Sequence, residues 1–178
     1  MKMKKLKKDQ RGFTLIELLV VIAITGLITW GITVTIFQVF DINTRSTNRM
    51  AAITQLENAG LWVSNDAQMA QNVTPSESSG FPLTLTWNDW DTGDSHAVNY
   101  TLEDMSSGEF KKLQRSHTIN GVEPDPPTDP PTVAEYIDPA ETSFIEASEG
   151  GSFIFKVTAT VGGESETRVY KVTPRAGS

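Results

Sequence analysis

Glu17 occupies a position that calls for a charged partner. It stands immediately before Leu18–Phe40, a run of 23 residues without a charged side chain. A charged group inside an apolar membrane segment costs roughly 2.5–3.5 kcal/mol at the helix centre and less near the interface. The carboxylate of Glu17 therefore needs a cation, yet the chain from Gly12 to Phe40 contains no Lys or Arg. An unpaired acid at this place indicates a functional residue.

A second group of candidate ligands, Asp89, Asp91 and Asp94, lies in one short polar segment with Gly93. Alternating carboxylates beside a glycine are typical of calcium-binding loops. For an EF-hand, however, the glycine comes one residue early, and no distal Glu follows at the required place. A polar turn between two strands explains the segment more simply, so calcium is the weaker interpretation.

The remaining polar side chains form no recognisable catalytic pattern. The sequence has no Gly-x-Ser-x-Gly elbow and no phosphate-binding glycine loop. Its two histidines, His96 and His117, show no metal-ligand spacing. The absence of cysteine excludes disulfides and cysteine-based metal sites. We therefore predict that the protein is not an enzyme and needs no cofactor, with calcium as the one alternative.

Charge is distributed unevenly along the chain. The first twelve residues hold six Lys and Arg against one Asp, a formal charge of +5, whereas the rest of the chain carries −12. Basic residues next to an apolar span are retained in the cytoplasm, so the amino terminus is predicted inside and the head outside. The acidic remainder disfavours nucleic acid as a ligand, because binding phosphates requires clustered Lys and Arg.

The uncharged run Leu18–Phe40 is long enough to cross a membrane. As a helix it extends roughly 35 Å, compared with about 30 Å for the hydrocarbon core of a bilayer. The basic cluster upstream disfavours a buried helix of a soluble protein. The length of the run disfavours a cleavable secretory signal, whose apolar core has about 7–15 residues. An uncleaved signal anchor remains the main simple alternative.

One helix is predicted over residues 13–72, with the span (18–40) in its first half. No proline occurs in this range, and residues 41–72 show the three- and four-residue spacing of an amphipathic helix. We expect this stripe, with Trp62 and Met69 beside it, to pack against the head. The stripe consists of Ile42, Arg49, Ile53, Leu56, Gly60, Val63, Ala67 and Ala70.

Residues 73–178 are predicted to form a head with five to seven antiparallel strands, which makes the fold class α+β. Pro75–Pro82 is rich in Ser, Pro and Gly and predicts a loop. Gly162-Gly163 separates two alternating segments and predicts a tight hairpin that pairs Phe155 with Tyr170. The predicted strands are Leu83–Trp87, Ala97–Leu102, Phe110–Arg115, Val133–Ile137, Ser143–Glu146, Phe153–Val161 and Glu164–Thr173.

The segment Glu123–Pro131 is acidic and contains five prolines. Such a composition favours a stiff, polyproline-like loop. A solvent-exposed connector is the simpler interpretation, and a loop that docks a partner is the alternative.

The stretch from Lys8 to Ile22 resembles the leader junction of type IV prepilins and type II secretion pseudopilins. The family pattern is a basic leader followed by Gly, Phe, Thr, Leu, an apolar residue, Glu and a long apolar run, and every part of it is present. The resemblance implies that a prepilin peptidase cuts between Gly12 and Phe13 and N-methylates Phe13. It also implies that Glu17 neutralises the new amino group of a neighbouring subunit, which supplies the missing cation.

By this resemblance the fold is a pilin-like lollipop, and the protein is a pseudopilin or minor pilin of the cytoplasmic (inner) membrane. Its partners would be the prepilin peptidase, other pilin subunits, an assembly platform protein and the lipid bilayer. The machine would be a type II secretion pseudopilus, a type IV pilus or a competence pilus. The missing helix proline favours a minor subunit, and Val169–Arg175 resembles J-type minor pseudopilins. The alternatives are a tip-located, ligand-binding minor pilin and a signal-anchored extracytoplasmic protein unrelated to pili.

Overall fold

A computed structural model describes residues 12–76, 78–106, 108–123, 132–148 and 150–175. The predicted leader, apart from Gly12, and the proline-rich segment, apart from Glu123, lie outside the described residues. The described chain consists of one helix followed by eight strands, which confirms the α+β class. The elements are α1 (Leu15–Met69), β1 (Asn72–Ser76), β2 (Gly80–Asn88), β3 (Ser95–Asp104), β4 (Lys111–Ile119), β5 (Thr132–Ile137), β6 (Ser143–Glu146), β7 (Phe153–Val161) and β8 (Glu164–Val172).

The eight strands form one antiparallel sheet. Neighbours follow the order β1-β2-β3-β4-β5-β7-β6, and β8 pairs with β7. The β7–β8 hairpin was predicted correctly, including the register that places Phe155 opposite Tyr170. Its turn residues Gly162 and Gly163 both have positive φ angles, of 55° and 85°. A two-residue turn of this kind matches the twist of the flanking strands and favours glycine at both positions.

The chain divides into two compact units at the boundary between Thr44 and Arg45. In the second unit, the part of α1 that follows this boundary packs on one face of the sheet. Small and aliphatic residues of the predicted stripe, such as Leu56 and Val63, are fully buried there. They meet alternate residues of the strands, for example Leu85 and Val98, as expected for a sheet that covers one face of a core.

At Gly60 the backbone of α1 closely approaches the side chain of Tyr170 on β8. A Cβ atom at this position would lie 2.1 Å from the Tyr170 ring, which real side chains cannot do. The Tyr170 hydroxyl donates a hydrogen bond to the carbonyl oxygen of Leu56 at 3.1 Å. Glycine is therefore required at position 60 because an aromatic ring of β8 lies directly on the helix backbone.

The start of the head differs from the prediction in two ways. The helix ends at Met69 rather than residue 72, because the following residues pair with β2: the amide of Gln71 donates to the carbonyl of Thr86 at 2.9 Å. The segment Pro75–Pro82 was predicted as a loop, but it contains the end of β1 and the beginning of β2. Pro75 is tolerated because β1 is an edge strand of the described sheet.

A buried ion pair ties α1 to the sheet. The Asp66 carboxylate of α1 accepts hydrogen bonds from the Arg115 guanidinium of β4, at 2.7 Å from Nε and 3.1 Å from Nη2, and from the Tyr100 hydroxyl of β3. The Trp62 ring lies 5.0 Å from the guanidinium carbon of Arg115. Burial and the neighbouring carboxylate raise the pKa of Tyr100 above its usual range, so the phenol keeps the proton that it donates.

We expect Asp66→Asn to destabilise the head by about 3–5 kcal/mol, because it removes one partner of a buried ion pair. Near-ultraviolet circular dichroism during urea unfolding of the full chain in nonionic detergent would measure this loss. The matched control is Asp104→Asn, which removes an 88% exposed partner of Lys111 and should cost no more than about 1 kcal/mol. Equal losses in the two variants would show that the buried pair is not a main contact of the head.

Candidate processing and assembly site

Thr14 and Glu17 form the amino-terminal cap of α1. The Glu17 carboxylate, through Oε2, accepts from the Thr14 backbone N–H at 3.5 Å and from its hydroxyl at 3.4 Å. In return, the Glu17 backbone N–H donates to the Thr14 hydroxyl oxygen at 3.4 Å. This reciprocal arrangement is a capping box, in which Thr and Glu three residues apart satisfy backbone groups at the helix start. The segment Thr14-Leu15-Ile16-Glu17 carries the sequence signal for this box, but only an intermolecular partner was predicted for Glu17.

Gly12 and Phe13 precede this cap in irregular structure. Phe13 is 81% exposed, and a side chain added at Gly12 would meet no atom within 4 Å. The peptide bond between the two residues is thus accessible within the described part of the chain. The six residues 12–17 therefore contain the candidate cleavage bond, the candidate new terminus Phe13 and the carboxylate of Glu17.

The first part of α1 presents apolar side chains all around its surface. Every described residue from Gly12 to Thr47 is exposed. This part contains a window that could cross a membrane by its length and composition, and none of that window is buried inside the protein. A helix that is apolar all round needs an apolar environment, such as a bilayer or other helices.

Three threonines of this part have their hydroxyl groups hydrogen-bonded within the helix. The hydroxyls of Thr25, Thr33 and Thr35 each donate to the carbonyl oxygen four residues earlier, at 2.8–2.9 Å. Internal hydrogen bonds of this kind remove the cost of placing a hydroxyl in an environment without water. These threonines therefore do not argue against a membrane span.

The polar segment that includes Asp89, Asp91 and Asp94 forms the turn between β2 and β3. Asp89 Oδ1 accepts from the backbone N–H of Asp91 at 2.9 Å, and Asp94 Oδ1 accepts from the Asn120 side-chain amide at 2.7 Å. Hydrogen bonds from Asn120 and then Thr92 lower the pKa of Asp94. Among the described residues, no three His, Cys, Asp or Glu side chains are grouped to hold a metal ion. The calcium interpretation stays a prediction, and the carboxylates of Asp89 and Asp94 accept hydrogen bonds that stabilise the turn.

The two histidines contact each other on neighbouring strands. His96 Nδ1 lies 3.0 Å from His117 Nε2, so one imidazole donates to the other. The Trp87 ring lies parallel to that of His96, with the ring centroids 5.2 Å apart. The structure thus gives each histidine a hydrogen-bonding partner and holds Trp87 against the pair.

Met69 and Trp90 were not assigned to a site from the sequence. Met69 was predicted to be core, but it is 45% exposed at the end of α1, because the helix ends there. It lines a cavity with Trp87, Trp90 and the adjacent acids. Residues from a helix end, a β-turn and the carboxyl-terminal segment meet in this cavity, so no local sequence pattern could have revealed it.

A family model for the prokaryotic N-terminal methylation motif matches residues 7–33. Searches of curated proteins and of solved structures gave no match for this chain. The matched region contains the Gly12–Phe13 bond, the capping box and the first half of the apolar run. The chain thus carries the prepilin-type cleavage and methylation signature, which supports a processed subunit of the type IV pilin and pseudopilin kind.

Membrane association can be tested within the apolar part of α1. We expect the full chain to resist alkaline carbonate extraction from membranes, and Ile24→Arg to raise the extracted fraction several-fold, because an arginine at the centre of a span costs roughly 2.5–3.5 kcal/mol. The control is Met50→Arg, which changes a 67% exposed residue of the second unit in the same chemical way and should leave extraction unchanged. Equal extraction of both variants would contradict a span at this place.

Proposed function

We propose that the protein is a pseudopilin or minor pilin subunit, processed between Gly12 and Phe13 and assembled through α1. The observation that carries the proposal is the methylation motif at residues 7–33, which coincides with an accessible Gly12–Phe13 bond. Before processing, the subunit would lie in the cytoplasmic membrane with its amino terminus inside, as the basic leader favours. The prepilin peptidase, the assembly platform and other subunits would be its partners.

Glu17 has a separate role before and after assembly in this proposal. In the described chain its Oε2 atom caps the helix through Thr14. After cleavage, the Phe13 ammonium of a neighbouring subunit would pair with the same carboxylate. A matched pair is tolerated in apolar surroundings, whereas either charge alone is costly. Only subunits in the register that matches the two charges would pack stably, so Glu17 would set the register of helix packing.

A minor subunit is the assignment that the helix favours. No proline interrupts the sequence of α1 from Leu15 to Met69. The major pilins that the leader resembles usually carry a proline near the middle of this helix. The type II secretion pseudopilus, the type IV pilus and the competence pilus all use such subunits. That this subunit is a J-type minor pseudopilin is likewise a proposal.

Two single substitutions separate the charge-pairing role of Glu17 from its role in capping the helix. Glu17→Gln keeps a residue that can complete a capping box but removes the charge. Thr14→Ala removes the capping hydroxyl, at a cost of about 1 kcal/mol to the helix, but keeps the charge. We expect Glu17→Gln to abolish assembly and Thr14→Ala to preserve most of it.

Assembly is measured in the native host by cross-linking through a single cysteine at Leu19→Cys, because the natural chain contains no cysteine. The yield of cross-linked dimers should fall at least about tenfold for Glu17→Gln, since an unpaired buried charge costs about 3–5 kcal/mol. Gly12→Val, which blocks the cleavage position, should act like Glu17→Gln. Loss of dimers in Thr14→Ala but not in Glu17→Gln would show that Glu17 acts only as a helix cap and would overturn the proposed role.

A further inference from the structure

A cavity of about 340 Å³ opens at the carboxyl end of α1, beside the β2–β3 turn. Its size falls within the roughly 300–1,000 Å³ of small-molecule pockets. The residues that line it are two tryptophans, two acids, a methionine, an asparagine and an arginine: Trp87, Trp90, Asp89, Asp91, Met69, Asn88 and Arg175. All of these residues lie in the second unit, so the cavity belongs to the head alone.

The aromatic walls are suited to a cation. The Trp87 ring is stacked parallel on the His96 ring, with 5.2 Å between the two ring centroids, and this contact restrains it. Trp90 is 64% exposed, although burying an indole is favourable, so its surface is available to a ligand. The face of an indole carries negative charge density and attracts ammonium and guanidinium groups, for which Trp is the best aromatic partner.

Arg175 lines the cavity together with the two acids, but no ion pair joins it to either of them in the described part of the chain. Asp89 accepts one hydrogen bond from the Asp91 backbone N–H and forms no ion pair with the described residues, and Asp91 likewise forms none. Residues 45–178 hold nine Lys and Arg against nineteen Asp and Glu, a formal charge of −10. The field of such a unit attracts cations and repels anions.

We propose that this cavity binds an organic ammonium group. The indole faces of Trp87 and Trp90 would contact its alkyl surface, and Asp89 and Asp91 would supply the opposite charge. Either a quaternary ammonium, as in a choline head group, or a lysine side chain of a polypeptide presents this chemistry. The inference is independent of processing at Gly12, since it rests only on residues of the head.

Substitution of Arg175 is expected to change the affinity of the cavity in opposite directions for cationic and anionic ligands. It lines the same cavity and brings a positive charge close to the proposed ligand. Arg175→Gln should therefore tighten the binding of an ammonium ion. The same change would weaken an anion or a sugar that used the guanidinium as a donor, so this variant distinguishes the ligand classes.

Binding can be followed by nuclear magnetic resonance of the indole N–H groups in the full chain, solubilised in a nonionic polyoxyethylene detergent. The chain has four tryptophans, and Trp30 and Trp62 serve as internal controls outside the cavity. Tetramethylammonium chloride should shift the Trp87 and Trp90 signals saturably, while sodium chloride at the same ionic strength should not. Choline and N-acetyl-lysine methylamide then distinguish the two sources of the ammonium group by their relative affinity.

The variants make the test specific. Trp90→Ala and Asp91→Asn should each weaken tetramethylammonium binding roughly 3- to 20-fold. Glu146→Gln, which removes one exposed acid of β6, should leave binding within about twofold, because Glu146 is not among the residues that line the cavity. Unshifted Trp87 and Trp90 signals, or weaker binding after Arg175→Gln, would overturn the proposal.

Discussion

The carboxylate of Glu17 lies at the edge of 23 uncharged residues, and its need for a cationic partner is the electrostatic constraint on this chain. In water this acid would need no explanation, because solvent would stabilise its charge. Next to an apolar helix surface that is exposed over its whole length, the charge requires a partner. The described chain gives Glu17 a capping contact with Thr14 but no cation. In the proposed function, cleavage before Phe13 would create a cation four residues away in sequence, and packing of a second subunit would bring the two charges together.

The same helix serves two different environments. Up to Thr44 its side chains are exposed and largely apolar, as for a segment that lies in lipid or against other helices. From Arg45 onward, small residues face the sheet, and Gly60 lets the Tyr170 ring lie on the backbone. The buried contact of Asp66 with Arg115 then restricts how this part of the helix can slide on the sheet, because a shift would separate two buried charges.

The parts that could be predicted from the sequence are those encoded by local pattern. The β7–β8 hairpin follows from alternation and from Gly162-Gly163, and its Phe155–Tyr170 register follows from the length of the turn. The leader junction is likewise a contiguous motif. The capping partner of Glu17, Thr14, is also close in sequence, but the capping role of Glu17 was not predicted, only its pairing with a cation.

The parts that could not be predicted depend on contacts between distant segments. The helix ends at Met69 because residues 71 and 72 pair with β2, a tertiary contact that overrides the local helical pattern. Asp66 looked like one acid among many, since its partners Tyr100 and Arg115 are 34 and 49 residues away. The tryptophan cavity likewise assembles from three separate segments, so its chemistry exists only in the folded head.

The central claim is that the chain is a substrate of the prepilin peptidase at one defined bond. The most direct test is the intact mass and amino-terminal peptide of the protein purified from a host with an active peptidase. If the proposed processing occurs, the purified chain lacks residues 1–12 and begins with N-methylated Phe13. A chain that still begins at Met1 in the presence of the active enzyme would contradict it and would identify the apolar helix as an uncleaved signal anchor.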